Sequence, residues 1–482
     1  MMFHTTTFVL GFLPVCMAGF FIIGRVRTAP WTLAWLIACS LFFYGWWNPR
    51  HLPLLIGSVV VNHGIAARMR WSRRPKAWLA TGVVLNLATL GWFKYADFLL
   101  HIVIPGAPAL PVALPLAISF FTFQQIMFLA DSAKFPAREK RFLPYAAFVM
   151  FFPHLIAGPI VRPGEIVPQL TAPRLARPSI ENLTEGLLIF LLGLGKKLVL
   201  ADMFGGFADT GFNAAAQGTQ LTFFEAWYAT LAYALQIYFD FSGYSDMAMG
   251  LARMLNVRFP MNFDSPYQAS DIAAFWRRWH ITLGSFLRDY LYIPLGGNRV
   301  GHWRRTGNLM ATMLLVGLWH GAAWTFVAWG GLHGLFLVVH TQYRKLFPPM
   351  PAAIGQAITL FAVIVAWVPF RATSFGCALG MVRGMAGLNG IALPRMIVAA
   401  LPPLAAIADP VSVMPSLGDG RTLSFPEVSA CLLLGWLIVL TVPNIHRMTS
   451  RTRHWTLTGG FAFSVQALFF APHVAPFLYF QF

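Results

Sequence analysis

Residues 306–343 read TGNLMATMLLVGLWHGAAWTFVAWGGLHGLFLVVHTQY, and none of them is Asp, Glu, Lys or Arg. Two apolar runs, 307–318 and 324–339, are joined in this stretch by a short segment that contains His320. A helix needs about 20 apolar residues to cross a hydrocarbon core about 30 Å thick, so both runs are short for full spans. The stretch therefore predicts two adjacent helices within a membrane, tilted or broken, with a histidine between them.

The whole chain has the composition of a membrane protein. Hydrophobic residues make up 57% of its 482 residues and charged residues 11%, with a mean hydropathy of +0.63. Average soluble domains hold about 45–50% apolar and about 25% charged residues, so water cannot be the solvent of this fold. We expect an all-α, polytopic transmembrane helical bundle of about eleven spans, with additional re-entrant or interfacial helices. The apolar runs are 8–24, 31–47, 52–67, 77–104, 112–130, 183–200, 221–237, 307–318, 324–339, 354–368, 428–442 and 457–471.

The formal charge of +18 is concentrated in alternate loops. Basic residues are dense at 25–27, 68–76 and 134–141, and sparse at 48–51 and 105–111. Because cytoplasmic loops of membrane proteins are enriched in Lys and Arg, the dense loops are predicted to be cytoplasmic. No nucleic-acid-binding motif gathers these charges, so the lipid bilayer, and not nucleic acid, is the expected partner.

Proline residues interrupt one apolar segment, 145–161. Pro153 and Pro159 free backbone groups that lipid would leave without partners. The sequence therefore predicts a re-entrant or broken helix that packs within the protein.

Neither the cysteines nor the histidines form a metal-binding pattern. The four cysteines lie in or beside apolar runs without a CxxC pair, and we interpret them as packing residues. His320, His333 and His340 are spaced more widely than usual close ligand pairs. We expect no metal.

The segment 239–305 differs from the rest because charged and aromatic residues alternate between long apolar runs. Ionisable residues at membrane depth are costly and usually face a cavity or a partner. An amphipathic helix at the membrane surface is the simpler alternative, although Asp240 and Asp246 do not suit one. The expected substrate-binding residues are Asp240, Tyr244, Asp246, Asn262, Trp276, Arg277, Arg278, Arg288 and Trp319.

Two histidines are the candidate catalytic residues. An intramembrane histidine such as His320 is often only a packed, hydrogen-bonded residue, but Gly317 and Gly321 flank it and His280 lies in the neighbouring polar segment. The unperturbed pKa of histidine, about 6.5, suits it to take a proton from a hydroxyl in acyl transfer. No GxSxG motif or cysteine nucleophile motif is present, so direct attack of an acceptor hydroxyl on a thioester is the simplest chemistry.

Several motifs resemble those of the membrane-bound O-acyltransferase family, in particular its bacterial branch with the membrane subunit of alginate O-acetylation and the D-alanine transferase of teichoic acids. We expect residues 1–482 to form a single membrane domain, with a signature core at about 90–345. The motifs are WRRWH (276–280), DYLYIPLGG (289–297), WHG (319–321), DFSGYSD (240–246), PMNF (260–263), FPHLIAGP (152–159) and FLYFQF (477–482).

The resemblance implies a ring of helices around a central funnel or tunnel, with His320 at its constriction. His320 would be the main catalytic residue and His280 a second polar residue that assists it. The donor would be a cytoplasmic thioester, most simply acetyl-CoA, whose phosphates Arg277, Arg278 and Arg288 would bind; charge at a membrane interface is the alternative for these arginines.

The resemblance also implies partners and a location. The acetyl group would cross the bacterial inner membrane, pass to a periplasmic acetyltransferase and reach a secreted exopolysaccharide in concert with the export machinery. Alginate is the first expected acceptor, and cellulose, peptidoglycan and teichoic acid are alternatives. A proton-coupled transporter that uses Asp240, Asp246 and His320 and an inactive scaffold are the competing classes.

Overall fold

The computed structural model describes residues 1–26, 29–135, 141–406, 408–411, 425–448 and 477–478. Regular structure within these residues is almost entirely helical, which confirms the predicted all-α class. The predicted run 457–471 lies outside the described residues, as do residues 479–482 of the closing motif.

The helices are numbered in chain order. The α-helices are α1 (Leu13–Val26), α2 (Ala29–Gly45), α3 (Leu52–Trp71), α4 (Pro75–Leu90), α5 (Ala96–Val103), α6 (Ile118–Lys134), α7 (Phe142–Met150), α8 (Phe152–Leu155), α9 (Pro163–Leu170), α10 (Ile180–Gly195), α11 (Asp202–Ala216), α12 (Phe223–Met254), α13 (Ile272–Trp276), α14 (Ile281–Leu287), α15 (His302–His320), α16 (Trp324–Leu346), α17 (Ala352–Arg371), α18 (Phe375–Met385), α19 (Arg395–Ala400) and α20 (Phe425–Thr441). Turns of π-helix are Thr7–Phe12, Gly91–Tyr95, Lys196–Ala201 and Arg288–Tyr292. Short 3₁₀ helices are Pro49–His51, Pro266–Gln268, Pro402–Ala406 and Ile445–Arg447.

A small strand pair is the exception to the helical architecture. Strands β1 (Ala392–Pro394) and β2 (Asp409–Val411) run parallel, with Ala392 opposite Asp409. The pair joins the segment after α18 to the segment after α19 and lies against the start of α12, where Phe224 packs on its apolar side chains.

Five segments of the described chain are long and apolar enough to cross a membrane, namely Thr7–Val26, Pro49–Trp71, Pro75–Val103, Ala352–Arg371 and Pro426–Arg447. They make the protein a polytopic membrane protein, as predicted. Only 11% of the apolar window in Pro75–Val103 is buried, whereas 50% of that in Ala352–Arg371 is buried. Pro75–Val103 therefore mostly faces lipid, whereas Ala352–Arg371 packs within the protein. The total of about eleven spans remains a prediction.

Helix α12 is the buried centre of the bundle. A capping box of Thr222 and Glu225 fixes its start, where the Thr222 N–H donates to Glu225 Oε2 at 3.0 Å. Residues 232–248 are all buried, so every face of the helix meets protein. Helices α10, α11, α17 and α18 pack around it and hold the polar motif 240–246 away from lipid.

Paired glycines bring α10 and α12 into backbone contact. A Cβ added at Gly193 would lie 2.4 Å from the carbonyl oxygen of Gly243, and one added at Gly243 would lie 2.7 Å from that of Gly193. Gly186 and Gly250 repeat this arrangement, with corresponding distances of 2.6 and 2.5 Å. Small residues permit such close approach, which gives helices in a membrane their packing energy.

Helices α15 and α16 form the hairpin that the uncharged stretch predicts. A Cβ at Gly317 would lie 2.2 Å from the Phe326 carbonyl oxygen, and one at Gly330 would lie 2.3 Å from that of Met313. His320 is the last residue of α15, and α16 begins at Trp324 after a short turn. The glycines therefore hold both helices together where the histidine emerges.

The proline-interrupted segment is broken as predicted. Helix α7 ends at Met150, and α8 contains only Phe152–Leu155. Residues 156–161 are irregular and buried, and the Ile160 N–H donates to Thr282 Oγ1 at 2.9 Å. The freed backbone is thus satisfied by protein, close to α14.

The glycine contact yields a stability prediction. Gly193→Ala should lower the unfolding midpoint in detergent, because overpacking a tight contact costs about 1–3 kcal/mol. Gly64→Ala on α3 is the matched control, since a Cβ there would meet no atom within 4 Å. Thermal unfolding of both variants, followed by size-exclusion chromatography, makes the comparison. Equal midpoints for the two variants would contradict the packing argument.

Candidate active site

His320 is buried among aromatic rings at the end of α15. Its ring centroid lies 4.8 Å from that of Trp319, 5.1 Å from that of Trp329 and 5.2 Å from that of Phe370. The imidazole lines a cavity of about 150 Å³. Residues 114–120 and Trp47 form much of the rest of the wall. His320 is thus buried in protein yet adjoins open space.

The carbonyl groups at the end of α15 are bound by two polar side chains from a π-helical turn. The Tyr95 hydroxyl donates to the Leu318 carbonyl oxygen at 2.9 Å. Lys94 Nζ donates to the carbonyl oxygens of Trp319 at 2.5 Å and of His320 at 3.3 Å. Cations suit the negative end of a helix dipole. Sequence reasoning gave Lys94 no role, although a lysine inside an apolar run was the available signal.

His280 is held by Asn262 in an unusual backbone conformation. Its φ of +45° lies in the left-handed region, at the residue that precedes α14. His280 Nδ1 lies 3.1 Å from Asn262 Oδ1. The same oxygen accepts from Thr282 Oγ1 at 2.8 Å and from the Thr282 N–H at 3.3 Å, and Asn262 Nδ2 donates to Ser245 Oγ at 3.2 Å.

These contacts determine the tautomer of His280. A backbone N–H can only donate, so the Asn262 atom that meets the Thr282 N–H is oxygen, and His280 Nδ1 must donate its proton to it. His280 Nε2 then carries the lone pair. Within the described chain that nitrogen is buried and has no hydrogen-bond partner. The arrangement is that of an oriented imidazole with its acceptor nitrogen available.

Trp319 lies beside both histidines. Its ring centroid is 6.3 Å from that of His280 and 4.8 Å from that of His320. The cavity touches Trp319 and His320, but His280 is not in its wall. The two predicted catalytic histidines therefore share one aromatic neighbour, and only His320 adjoins the open space.

The acidic residues of α12 lie in buried ion pairs. Asp240 Oδ1 is 2.9 Å from Lys197 Nζ, which also contacts Asp202 at 2.6 Å, and Asp246 Oδ2 is 2.7 Å from Lys196 Nζ. Neither Asp240 nor Asp246 lines the cavity at His320. A buried carboxylate requires a counter-charge, and the two lysines supply it. These ion pairs account for the burial of the two aspartates, and their role in substrate binding stays a prediction.

Four further residues that the sequence predicts to bind substrate lie away from the cavity at His320. The ring of Tyr244 stacks on that of Phe477, with centroids 4.6 Å apart, and the ring of Trp276 lies 5.1 Å from that of His333. Arg277 lines a separate cavity of about 700 Å³ between α16 and α17. The Arg278 carbonyl oxygen accepts from the Asp264 N–H at 3.0 Å. None of these four predicted residues lines the cavity at His320.

A charged cavity of about 730 Å³ is lined by Lys134, Arg162, Asp289 and Tyr290, among other residues. Arg288 precedes Asp289 in the chain and is not in the wall. Arg288 Nε donates to Asp289 Oδ1 at 2.7 Å, and Arg162 pairs with the other carboxylate oxygen. These hydrogen bonds, from Arg288 first and Arg162 second, hold the pKa of Asp289 below its usual value. The cavity wall therefore carries both signs of charge, with the cations Lys134 and Arg162 and the carboxylates Asp131, Glu165 and Asp289.

A row of stacked aromatic rings connects the charged cavity with the cavity at His320. Tyr290 stacks on Phe286 at 5.3 Å, Phe286 on Phe123 at 4.1 Å, and Phe123 on Trp319 at 5.3 Å. Tyr290 lines the first cavity and Trp319 the second. We call these four residues the aromatic row. Its two ends lie in the walls of the two cavities.

No group of three or more His, Cys, Asp or Glu residues in the described ranges is placed to hold a metal ion. His320 and His333 are held apart by the Trp329 ring, whose centroid is 5.1 Å from His320 and 4.9 Å from His333.

The described chain is that of a polytopic helical membrane protein, with a buried histidine at an internal cavity and a second, oriented histidine on the other side of Trp319. The chain belongs to the membrane-bound O-acyltransferase family, whose model matches residues 112–381. Both histidines lie inside the matched range. The family predicted from the sequence motifs is confirmed, and the protein is a membrane-bound acyltransferase enzyme.

Bacterial relatives support the same assignment. A peptidoglycan O-acetyltransferase of Helicobacter pylori is 40% identical, with 100% of this chain and 98% of the relative covered. A probable alginate O-acetylase of Pseudomonas aeruginosa is 39% identical over 80% of this chain and 75% of the relative. A teichoic acid D-alanyltransferase of Streptococcus thermophilus is 28% identical over 48% of this chain and 57% of the relative.

The ion pairs of α12 yield a second prediction. Lys197→Met should strongly destabilise the protein, because removal of one partner of a buried ion pair costs about 3–5 kcal/mol. Lys197→Met with Asp240→Leu should recover part of this loss. Membrane levels and unfolding midpoints provide the measurement.

Arg253→Met is the matched control for this experiment. Its partner Glu185 has a side chain that is 25% exposed, whereas that of Asp240 is 1% exposed, so the control should cost much less. A stable Lys197→Met protein that loses only activity would instead indicate that Asp240 acts on a substrate.

Proposed function

We propose that the protein transfers acetyl groups from a cytoplasmic thioester, most simply acetyl-CoA, for O-acetylation of a polysaccharide outside the bacterial inner membrane. The observation that carries this proposal is His320, which adjoins an internal cavity in a chain of this family. A second cavity, rich in charge, lies at the other end of the aromatic row. The arrangement suits a reaction whose two substrates approach from opposite sides.

The charge pattern of the loops supports this direction. The charged cavity includes Lys134 and Leu79, which adjoin the basic loops 134–141 and 68–76. The cavity at His320 includes residues 114–120, which follow the loop 105–111 that has no Lys or Arg. By the positive-inside rule the first cavity faces the cytoplasm and the second faces outward.

The charged cavity is the proposed donor site. Its volume of about 730 Å³ is in the range of cofactor pockets. Lys134, together with Arg162 and the neighbouring Arg288 that both pair with Asp289, would supply cations for the phosphates of coenzyme A. The wall carboxylates Asp131 and Glu165 lie among them, and Arg277 lies in a different cavity. The acyl arm would pass the rings of Phe286 and Phe123 to reach His320.

The proposed chemistry is direct acyl transfer. The oxygen of the acceptor hydroxyl attacks the thioester carbonyl carbon, and His320 takes the hydroxyl proton. The tetrahedral intermediate collapses, the carbon–sulfur bond breaks, and the proton passes from His320 to the sulfur, which leaves as a thiol. His280, oriented by Asn262, is the proposed assisting residue with Nε2 as hydrogen-bond acceptor.

Two acceptor polymers are candidates. The Helicobacter pylori relative supports peptidoglycan, and it matches over 100% of this chain. The Pseudomonas aeruginosa relative supports alginate, the first choice from the sequence, and it matches over 80% of this chain. In either case a periplasmic acetyltransferase would complete the transfer, and an exopolysaccharide acceptor would add export proteins as partners.

The function is tested in a deletion strain complemented with wild type, His320→Ala or His333→Phe. Loss of a general base typically lowers the rate about 10²–10⁴-fold, so His320→Ala should abolish acetylation. Mass spectrometry of muropeptides and acetyl analysis of secreted polysaccharide would identify the polymer, with membrane levels checked by immunoblot.

His333→Phe is the matched control because His333 is another buried histidine of the hairpin, set among aromatic rings and absent from the cavity wall. It should retain acetylation. Full acetylation of both polymers in the His320→Ala strain would refute the proposed function.

The donor site is tested with purified protein. Arg288→Gln should raise the KM for acetyl-CoA about tenfold with little change in kcat, because charge-assisted contacts to phosphate contribute about 1.5–3 kcal/mol. Arg304→Gln, an exposed arginine at the start of α15, is the control. An unchanged KM in Arg288→Gln would remove this residue from the donor site.

A further inference from the structure

Lys94 is a charged residue in an expensive position. It lies within the candidate span Pro75–Val103. A lysine at membrane depth costs several kcal/mol, so such residues usually face a cavity or pair with a polar partner. Among the described residues that line the cavity at His320, it is the single Asp, Glu, Lys or Arg. A cation therefore shares the reaction cavity with the proposed base.

The local helix geometry directs Lys94 into the protein. The segment Gly91–Tyr95 is a turn of π-helix between α4 and α5. A π-helical turn shifts side chains relative to those of a regular helix, and such turns are frequent at functional sites. Here it turns Lys94 and Tyr95 together towards the end of α15.

The ammonium group retains a donor for a substrate. It carries three N–H groups, and the Trp319 and His320 carbonyl oxygens accept from it at 2.5 and 3.3 Å. The nitrogen also lies 5.9 Å from the centroid of the Trp319 ring. These contacts place the charge beside the backbone of His320 and leave a third N–H in a side chain that lines the cavity.

We propose that Lys94 is a catalytic residue that stabilises the oxyanion of the acyl-transfer reaction. The inference rests on the proposed function. When the acceptor oxygen bonds to the thioester carbonyl carbon, the carbonyl π electrons move to oxygen and His320 holds the hydroxyl proton. Lys94 donates a charge-assisted hydrogen bond to this oxygen until the carbonyl re-forms, the carbon–sulfur bond breaks and the proton passes to the thiolate.

A purely structural role as a helix cap is the alternative. Tyr95 shows that a neutral hydroxyl from the same turn can bind a carbonyl at this helix end, where its hydroxyl lies 2.9 Å from the Leu318 oxygen. A cap alone does not need a charge. Tyr95 is not in the cavity wall, so Tyr95→Phe removes one cap bond without changing the cavity charge.

The experiment compares Lys94→Gln, Lys94→Arg, Tyr95→Phe and His320→Ala in purified full-length protein. The assay follows the release of thiol from acetyl-CoA, and unfolding midpoints verify folding. Removal of one oxyanion donor typically costs about 10²–10³-fold in kcat, so Lys94→Gln should lose that much with KM within about threefold. Lys94→Arg should recover at least about tenfold, and Tyr95→Phe should stay near wild type.

The outcomes separate this inference from the proposed function. If His320→Ala is inactive but Lys94→Gln keeps its kcat, the inference is wrong and the proposed function stands. Equal losses in Lys94→Gln and Tyr95→Phe would assign Lys94 a cap role only. If Lys94→Gln does not fold, Lys94→Arg decides: a folded protein with more than about 10²-fold loss in kcat would overturn the inference. Full activity of His320→Ala would reject the proposed function itself.

Discussion

Lipid offers no hydrogen-bond partner, and this constraint governs where each polar group of the protein is placed. The lysines at the end of α10 are paired with aspartates of α12, and the last carbonyl groups of α15 are paired with Lys94 and Tyr95. The break after α7 is satisfied by Thr282. Each of these contacts joins segments far apart in sequence, so the polar groups help to fix the positions of the helices relative to each other.

The aromatic row lies between the charged cavity and the cavity at His320. The aromatic row runs from Tyr290 in the wall of the charged cavity to Trp319 in the wall of the cavity at His320. A barrier of side chains can open by rotation of rings, whereas a barrier of backbone requires helices to move. In the proposed reaction, rotation of these rings would open the way for the acyl arm.

The sequence predicts individual helices and helix breaks better than it predicts which side chains of different helices contact each other. The uncharged stretch predicts the α15–α16 hairpin, and the prolines predict the break after α7, because both signals are local. The pairing of Lys197 with Asp240 depends on how two helices pack, and no spacing in the chain encodes it. For the same reason the sequence places Arg277 and Arg288 in one group, whereas the fold places Arg277 in a cavity apart from the one beside Arg288.

The left-handed backbone at His280 restricts which residues evolution can substitute there. Asn, Asp and His are the non-glycine residues that most readily adopt positive φ, whereas β-branched residues are strongly disfavoured. Asn and Asp also keep a polar atom close to the backbone. A library of all substitutions at this position should therefore retain folded protein mainly with Asn, Asp and Gly, so that drift at position 280 leads towards a short amide or carboxylate and away from bulky apolar side chains.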